Sequence, residues 1–513
     1  MSIRIRPELE KDPRSVVLAV IAVGTIVRFV LGARLGLGVD ESYAVAVARQ
    51  WSLSYFDHPP LHFWIAGGTA KLFASEAGVV VRLPFVLCFI ATTWLTFTLA
   101  ARLFGERAGA LAAVLLNLSA VFSVSTGGWV LPDGPLMLGE LCAANVLASL
   151  LFGERPSFPL ARWLVAGACA GLAMLAKYHG VFVLAGVFLF LVTSAPHRRW
   201  LRHPGPYLGA LVALVMFVPV LEWNREHGWA SVIFQGGRAA GTGGLHAEAM
   251  LTNIGAQAAW VLPWIWVPLV ATFVASLKAG PRDAGRWFLW CLASGPIVVF
   301  TAISLRGDVG LPHWQAPGYL FLFPALGAAA AERLDRGDAT AKNWLRFTWW
   351  ALPLLVLIAA THASTGWLAR VTPGTFERGD PTSDLLDWRE LKPALLAGGL
   401  MKEGDFVAAP SWIQAGKAAV GLGPAVPVLC LCADPHHFFY LQDDRRFLGA
   451  NALLVARARS SPAEDVAARF APYFESVVPI ARVPIRRDGE TVFEVGVYRA
   501  TRFRRLFSTA QPR

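Results

Sequence analysis

Asp57-His58-Pro59-Pro60-Leu61-His62-Phe63-Trp64, written DHPPLHFW, is the stretch whose reading decides what kind of chain this is. It sets an acid, two histidines and a proline pair between apolar runs near residues 15–37 and 79–101. A water-exposed loop has no need of those aromatics, and a membrane span does not tolerate those polar groups. The stretch therefore reads as an interfacial turn between spans, with Pro59 and Pro60 forcing extended backbone before them.

Composition agrees. The chain has 513 residues, is 55% hydrophobic and 16% charged, and carries 20 Trp and 32 Phe. Soluble domains hold about 25% charged residues, so this is a membrane protein. The formal charge of +11 does not point to nucleic acid, because a basic patch is the expected footprint and the Lys and Arg residues here fall in short clusters between apolar runs. Four cysteines, Cys88, Cys142, Cys169 and Cys291, lie within apolar runs, where a free thiol behaves as a small hydrophobe. Cys430 and Cys432 stand at C-x-C spacing in a strand-like segment, without zinc-ligand spacing. All six read as structural. The first run shows no cleavage context and reads as a span rather than a signal peptide.

Runs long enough to span predict about eleven transmembrane helices, near 15–37, 79–101, 107–126, 132–152, 160–176, 179–195, 206–222, 258–277, 286–304, 317–332 and 345–363. One alternate set of loops collects the cations: Arg4, Arg6, Lys11 and Arg14, then Arg102 and Arg107, Arg155 and Arg162. Arg198, Arg199 and Arg202 follow, then Lys278, Arg282 and Arg286, and Arg333, Arg336, Lys342 and Arg346. The positive-inside rule then makes the amino terminus cytoplasmic. An odd number of spans puts the tail outside. The expected organisation is a transmembrane part over 1–363, whose first outer loop covers about 38–78, and an extracytoplasmic α/β domain over 364–513. In the tail, DFVAAPSWI, PVLCLCA and NALLVAR read as strands and AEDVAARFAPYF as a helix. ARVPIRR and ETVFEVGVYR flank Asp488–Gly489, the strongest short hairpin signal.

With this topology the awkward polar residues all face outward. The first outer loop holds Asp40, Glu41, Asp57 and His58, and the second holds Asp133. The third carries Lys177, Tyr178 and His179, the fourth Glu222, Asn224, Arg225, His227, Gln235 and Arg238, and the fifth Arg306, Asp308, His313 and Trp314. Each has a plainer reading. Asp40 and Asp133 are good helix caps, Asp57–His58 is an interfacial turn, Lys177 can snorkel to headgroups, and His227 and His313 can be satisfied interfacial histidines. Ionisable groups at membrane depth are nevertheless costly and usually functional, and five loops converging on one face outweigh any single explanation. Cations suit a phosphate, a carboxylate can take a proton from an acceptor, and Trp faces can stack on a sugar. The combination suits sugar transfer from a lipid-phosphate carrier. A transporter or lipid flippase would place polar residues near the midplane, often in repeated halves; neither is seen here. A non-catalytic scaffold has no need of such loops.

The succession VDESY (39–43), DHPPLHFW (57–64), LPDGPL (131–136), AKYHG (176–180), LEWNREHGWASVIFQ (221–235) and LPHWQAP (311–317) resembles the GT-C membrane glycosyltransferases of the protein O-mannosyltransferase and lipid A aminoarabinose transferase type. The resemblance runs through most of residues 15–320 and implies a polytopic α-helical membrane enzyme of the bacterial inner membrane, with its tail domain periplasmic. It implies a polyprenyl-phosphate sugar as donor, inverting transfer, and a lipid A or other cell-envelope acceptor, or alternatively a protein. Asp40 is then the catalytic general base, Glu41 supports its loop and Asp133 is a second functional acid. Lys177 binds the carrier phosphate, with His58, Arg225 and Arg238 as further donor-phosphate residues. Asp57, Tyr178, His179, His227 and His313 complete the expected site. No metal ligand is assigned and no cofactor is fixed by the resemblance, and a divalent metal stays open. One departure stands out: aminoarabinose transferases carry Lys before the two prolines. His58 stands there in this chain, and its imidazole is expected to charge near pH 6.5.

Overall fold

A computed structural model describes residues 12–154, 157–240, 244–307, 310–376, 379–458 and 463–507. Arg4, Arg6, Lys11, Arg155 and Asp308 lie outside the described residues.

Among the described residues seven helices are long and apolar enough to cross a membrane: Pro13–Arg34, Gly78–Phe104, Asp133–Leu151, Pro159–Ala176, Pro263–Arg282, Ala284–Ser304 and Ala339–Thr365. Two bent pairs, Tyr178–Thr193 with Ala195–Arg202 and Gly205–Met216 with Val218–Glu226, bring the number up to nine if each pair counts as one span. The other two expected spans are broken. The 107–126 run is a helix, Glu106–Asn117, followed by a π-helical turn, Val121–Thr126, and the 317–332 run divides into Ala316–Leu320 and Phe323–Asp335. The Glu106–Asn117 helix has 12 residues, about 18 Å at 1.5 Å per residue against a hydrocarbon core of about 30 Å. Its residues from Ala108 to Asn117 are all buried. A Cβ on Gly327 would meet the Ala108 carbonyl oxygen at 2.3 Å, so these two runs are apolar because they pack backbone to backbone on each other. Small residues permit such contact. Hydropathy alone does not distinguish it from lipid contact.

The tail forms a five-stranded sheet of order β2-β1-β3-β5-β4. The strands are β1 Phe406–Ala409, β2 Val428–Cys430, β3 Ala452–Arg457, β4 Phe474–Arg487 and β5 Glu490–Phe503. β1 pairs in parallel with β2 and β3, while β3–β5 and β5–β4 are antiparallel. The expected hairpin is present: Asp488 and Gly489 both have positive φ, 50° and 81°, as a two-residue turn matching strand twist requires. All six cysteines are free thiols.

The first loop forms two short helices, Val39–Val47 and Leu61–Leu72, the second beginning directly after Pro60. These helices do not sit apart from the tail. Tyr43, Val45, Val47, Tyr55 and Phe63 share one buried hydrophobic cluster with Trp388, Val407, Ala415, Ala418 and Leu453. Lys417, on the tail helix Trp412–Leu422, is 4% exposed. Its ammonium caps the carbonyl oxygens of Leu37, Asp384 and Leu386, and burial lowers it to about 8 against the pull of Asp387, Glu41 and Asp384. The Leu37 amide in turn donates to Asp387 Oδ1 at 3.0 Å.

The helices themselves meet backbone to backbone at Gly416, where a Cβ would lie 2.9 Å from Tyr43 N and 3.0 Å from Tyr43 Cα. Backbone cannot yield as a flexible side chain can. Gly416→Val is therefore expected to cost about 1–3 kcal/mol, the usual cost of overpacking. It should also displace the helix that carries Asp40, so activity falls more than the thermal midpoint. A variant as stable and active as the parent would show that the two helices are free to separate.

Candidate functional site

Gly38, not Asp40, caps the Val39–Val47 helix, and the capping box closes through Glu41, whose Oε2 accepts from Gly38 N at 2.8 Å. Arg82 grips the same carboxylate through Nε to Oε1 at 2.7 Å and a second nitrogen to Oε2 at 2.5 Å. Val130 N donates to Oε1 at 3.0 Å. Arg82 spends its remaining donors on the carbonyls of Gly32, Leu35 and Gly36. Glu41 is 1% exposed and its oxygens are fully engaged, which leaves Asp40 on the exposed side of the same turn with no hydrogen bond to its carboxylate among the described residues. Surrounding protein, Asp57 and Glu41 raise the Asp40 carboxyl above the ordinary value, while His436 pulls it down.

Asp57 lies behind it, 8% exposed, accepting from Tyr43 OH at 2.6 Å. Burial raises its carboxyl, and His436 and the Tyr43 hydroxyl oppose that rise. The Tyr43 oxygen accepts from His437 N at 3.0 Å, and His437 Nδ1 accepts from Phe56 N at 3.0 Å. Two adjacent histidines from the tail are thus built into the acid side of the loop. The run DPHHFFY (434–440) was the signal for them: paired histidines and aromatics in a turn after a strand. A reading of the tail as an ordinary soluble domain passes over it.

A second cluster forms around Asp133, the first residue of the Asp133–Leu151 helix, which makes no cap bond. Its Oδ1 accepts from Lys177 Nζ at 2.9 Å, in a pair whose side chains are 9% and 4% exposed. Lys177 does not snorkel; it terminates the Pro159–Ala176 helix in extended backbone and turns back to the acid. His58, His62, His179 and His313 lie within electrostatic reach of this pair, and Arg238 within reach of His58 and His313. Arg238 sits over the rings of Phe234 and Trp314, 5.5 and 5.0 Å from their centroids. His179 stacks on Phe300 at 4.3 Å, and Tyr178 lies beside Ser231 and Asn224. Ring nitrogens of His58, His62 and His179 are buried without a hydrogen-bond partner. A buried polar atom without a partner is unusual and calls for an explanation; here several neutral imidazoles face one ion pair. His62, inside the opening stretch, is a member that sequence reasoning missed.

Three expectations change. His58 does not charge near pH 6.5: burial, His62 and Lys177 hold it well below its ordinary range, and burial, Lys177 and Arg238 bring His313 to about 4. Arg225 does not reach the cluster; it is exposed and forked onto Glu222 of its own helix at 2.5 and 2.9 Å. His227 is a satisfied histidine, stacked on Trp223 at 4.2 Å and bonded through Nδ1 to the Trp223 carbonyl at 2.7 Å.

The fifth loop is tied from behind. Gln315 donates to Asn253, Gln257 to Asn253, Tyr319 OH to Gln257 and Trp266 Nε1 to Tyr319, at 2.6–2.9 Å. Among the described residues no group of three or more His, Cys, Asp or Glu is placed to hold a metal ion.

The architecture has known counterparts. A family model for dolichyl-phosphate-mannose-protein mannosyltransferase matches residues 57–223. ArnT from Cupriavidus metallidurans in the apo state aligns with a TM-score of 0.61 at 16% identity, over 94% of this chain and 97% of that one. The same protein bound to undecaprenyl phosphate gives 0.61 at 17%, over the same shares. The apo oligosaccharyltransferase of Archaeoglobus fulgidus gives 0.51 at 12% identity, over 86% and 70%. No curated protein matches by sequence. The fold is that of a polytopic GT-C membrane protein with a sheet-containing C-terminal domain. The likeness to the protein O-mannosyltransferase type is thus borne out by the family model and the fold together.

Proposed function

We propose that the protein is a glycosyltransferase of the bacterial inner membrane, moving a monosaccharide from a polyprenyl-phosphate carrier to a cell-envelope acceptor on the periplasmic face. The observation that carries this reading is the Asp133–Lys177 pair ringed by His58, His62, His179, His313 and Arg238, with three ring nitrogens lacking partners. A neutral imidazole offers one N–H donor, and a phosphate accepts several. Asp133 aims Lys177, Lys177 and Arg238 supply charge, and the histidines supply ring nitrogens that no protein group engages. Asp40, separate from that cluster but within electrostatic reach of Asp133, is the base that takes the acceptor proton as the carrier phosphate departs in an inverting displacement. Glu41 does not touch substrate in this scheme; it positions Asp40.

ArnT from Cupriavidus metallidurans is seen bound to undecaprenyl phosphate, which favours that carrier here, and the motif resemblance to lipid A aminoarabinose transferases favours a lipid A or lipopolysaccharide acceptor. The description of the matching family model favours a protein acceptor as second reading. In the proposed orientation the tail, from residue 364 onward, is periplasmic.

Purified protein in detergent is expected to bind undecaprenyl phosphate, and Lys177→Ala to weaken that binding at least tenfold without a comparable change in acceptor KM. A variant that binds the lipid normally would remove Lys177 from the donor site. Mass spectrometry of envelope glycolipids and glycoproteins from cells with and without the gene identifies sugar and acceptor together. Identical profiles under conditions where the gene is expressed would overturn the transferase reading.

A further inference from the structure

His436 belongs to the tail by sequence but to the first loop by position. Its backbone is left-handed, with φ 52°, a conformation that strains a non-glycine residue and persists where the surroundings over-determine it. Its ring stacks on Trp412 at 4.7 Å and 25°, and meets Phe234 at 5.7 Å, Tyr43 at 5.9 Å and Phe56 at 6.2 Å edge to face. Four aromatic rings from separate parts of the chain therefore box one imidazole, and aromatic rings favour a cation within about 6 Å of their centroids. Nδ1 is bonded to Asp434 Oδ1 at 3.1 Å.

The ionisable groups facing it from the packed segments are Asp434 on its own turn, Asp57 on the loop, and Tyr43 and Asp40 on the Val39–Val47 helix. Arg238 stands behind the Phe234 ring. Carboxylates thus dominate around the imidazole, and two of them, Asp40 and Asp57, are close enough to repel each other.

We propose that His436 is a positioning residue of the transfer reaction, the tail domain's imidazolium acting as counter-charge to Asp40 and Asp57 so that Asp40 stays ionised and able to accept a proton. The role rests on the transferase reading; the geometry does not, since the Tyr43 ring that meets the imidazole at 5.9 Å donates its hydroxyl to Asp57 at 2.6 Å. Asp434 and Asp57 raise the imidazole above its ordinary value despite burial, and the imidazole in turn lowers Asp40 and Asp57. The sign follows: with the positive charge removed, Asp40 protonates at higher pH. The difference vanishes in alkaline solution, where the wild-type imidazole is itself neutral.

The test is a carbon NMR titration of the full-length protein in detergent, labelled at aspartate carboxyl carbons, with the Asp40 signal assigned by its loss in Asp40→Asn. His436→Gln is expected to raise the Asp40 midpoint by about one pH unit, a tenfold loss of ionised base at acidic pH. His436→Lys should return it to the wild-type value or below. That second variant keeps the charge while changing the ring, and so guards against misfolding of the first. An Asp40 midpoint unchanged in His436→Gln, or raised equally in His436→Gln and His436→Lys, would overturn the proposal. In the transfer assay, His436→Gln should move the acid limb of the kcat/KM profile upward and converge with wild type in alkali. A uniform loss at all pH values would mark a merely structural role. A shifted titration in a protein that transfers no sugar would support the coupling and defeat the transferase reading instead.

Discussion

Asp40→Asn is expected to fold, enter the membrane and bind the polyprenyl-phosphate donor as well as wild type, and to transfer sugar about 10²–10⁴-fold more slowly, the range a positioned general base supplies. The fold is indifferent to this carboxylate because Gly38 and Glu41 close the cap and Asp40 accepts no hydrogen bond among the described residues. The amide keeps the shape and loses only the basic oxygen. Since desolvation by the surrounding protein and the neighbouring acids raise the Asp40 carboxyl, wild-type activity should fall as pH drops through a midpoint above the ordinary carboxylate value. That limb should disappear from any residual activity of the variant. Full turnover by Asp40→Asn would end the assignment of Asp40 as base.

Arg82→Met should produce the largest loss of stability. Its guanidinium and the Glu41 carboxylate are 5% and 1% exposed, and breaking a buried pair from one side costs about 3–5 kcal/mol because the other charge is left without compensation. Three carbonyls, of Gly32, Leu35 and Gly36, lose their donors as well. Pairing Arg82→Met with Glu41→Gln should recover part of the loss, as residues in one network are not additive. The comparison is read by denaturation of the detergent-solubilised protein. Equal stability of Arg82→Met and wild type would mean that the pair does not hold the first loop.

The sequence carries the membrane class, most of the spans and the site face openly, because lipid imposes long apolar runs and leaves polar groups conspicuous. It is silent where one apolar residue packs on protein and another on lipid, which is why the runs at 107–126 and 317–332 read as spans. Asp40, Asp133 and Lys177 were legible as charges out of place. The ion pair between Asp133 and Lys177 was not, since residues 44 apart meet only through helix packing. Arg225 misled for the opposite reason: a cation near the right loop looks available until Glu222, three residues away, is seen to hold it. His436 was beyond reach of a reading that treated the tail as a separate body.

The ties between the first loop and the tail also bear on how the chain is made. Leu37 is joined to Lys417 across 380 residues, Phe56 to His437 across 381 and Tyr43 to His437 across 394. Closures of that length come late in folding, after the local helices have formed. The segment bearing Asp40 is therefore made well before the tail that it packs against, and it settles only once that tail has emerged and docked. A nascent chain can hold the preceding helices and still lack a finished Asp40 loop, so the distant sheet domain sets the moment at which that loop is completed.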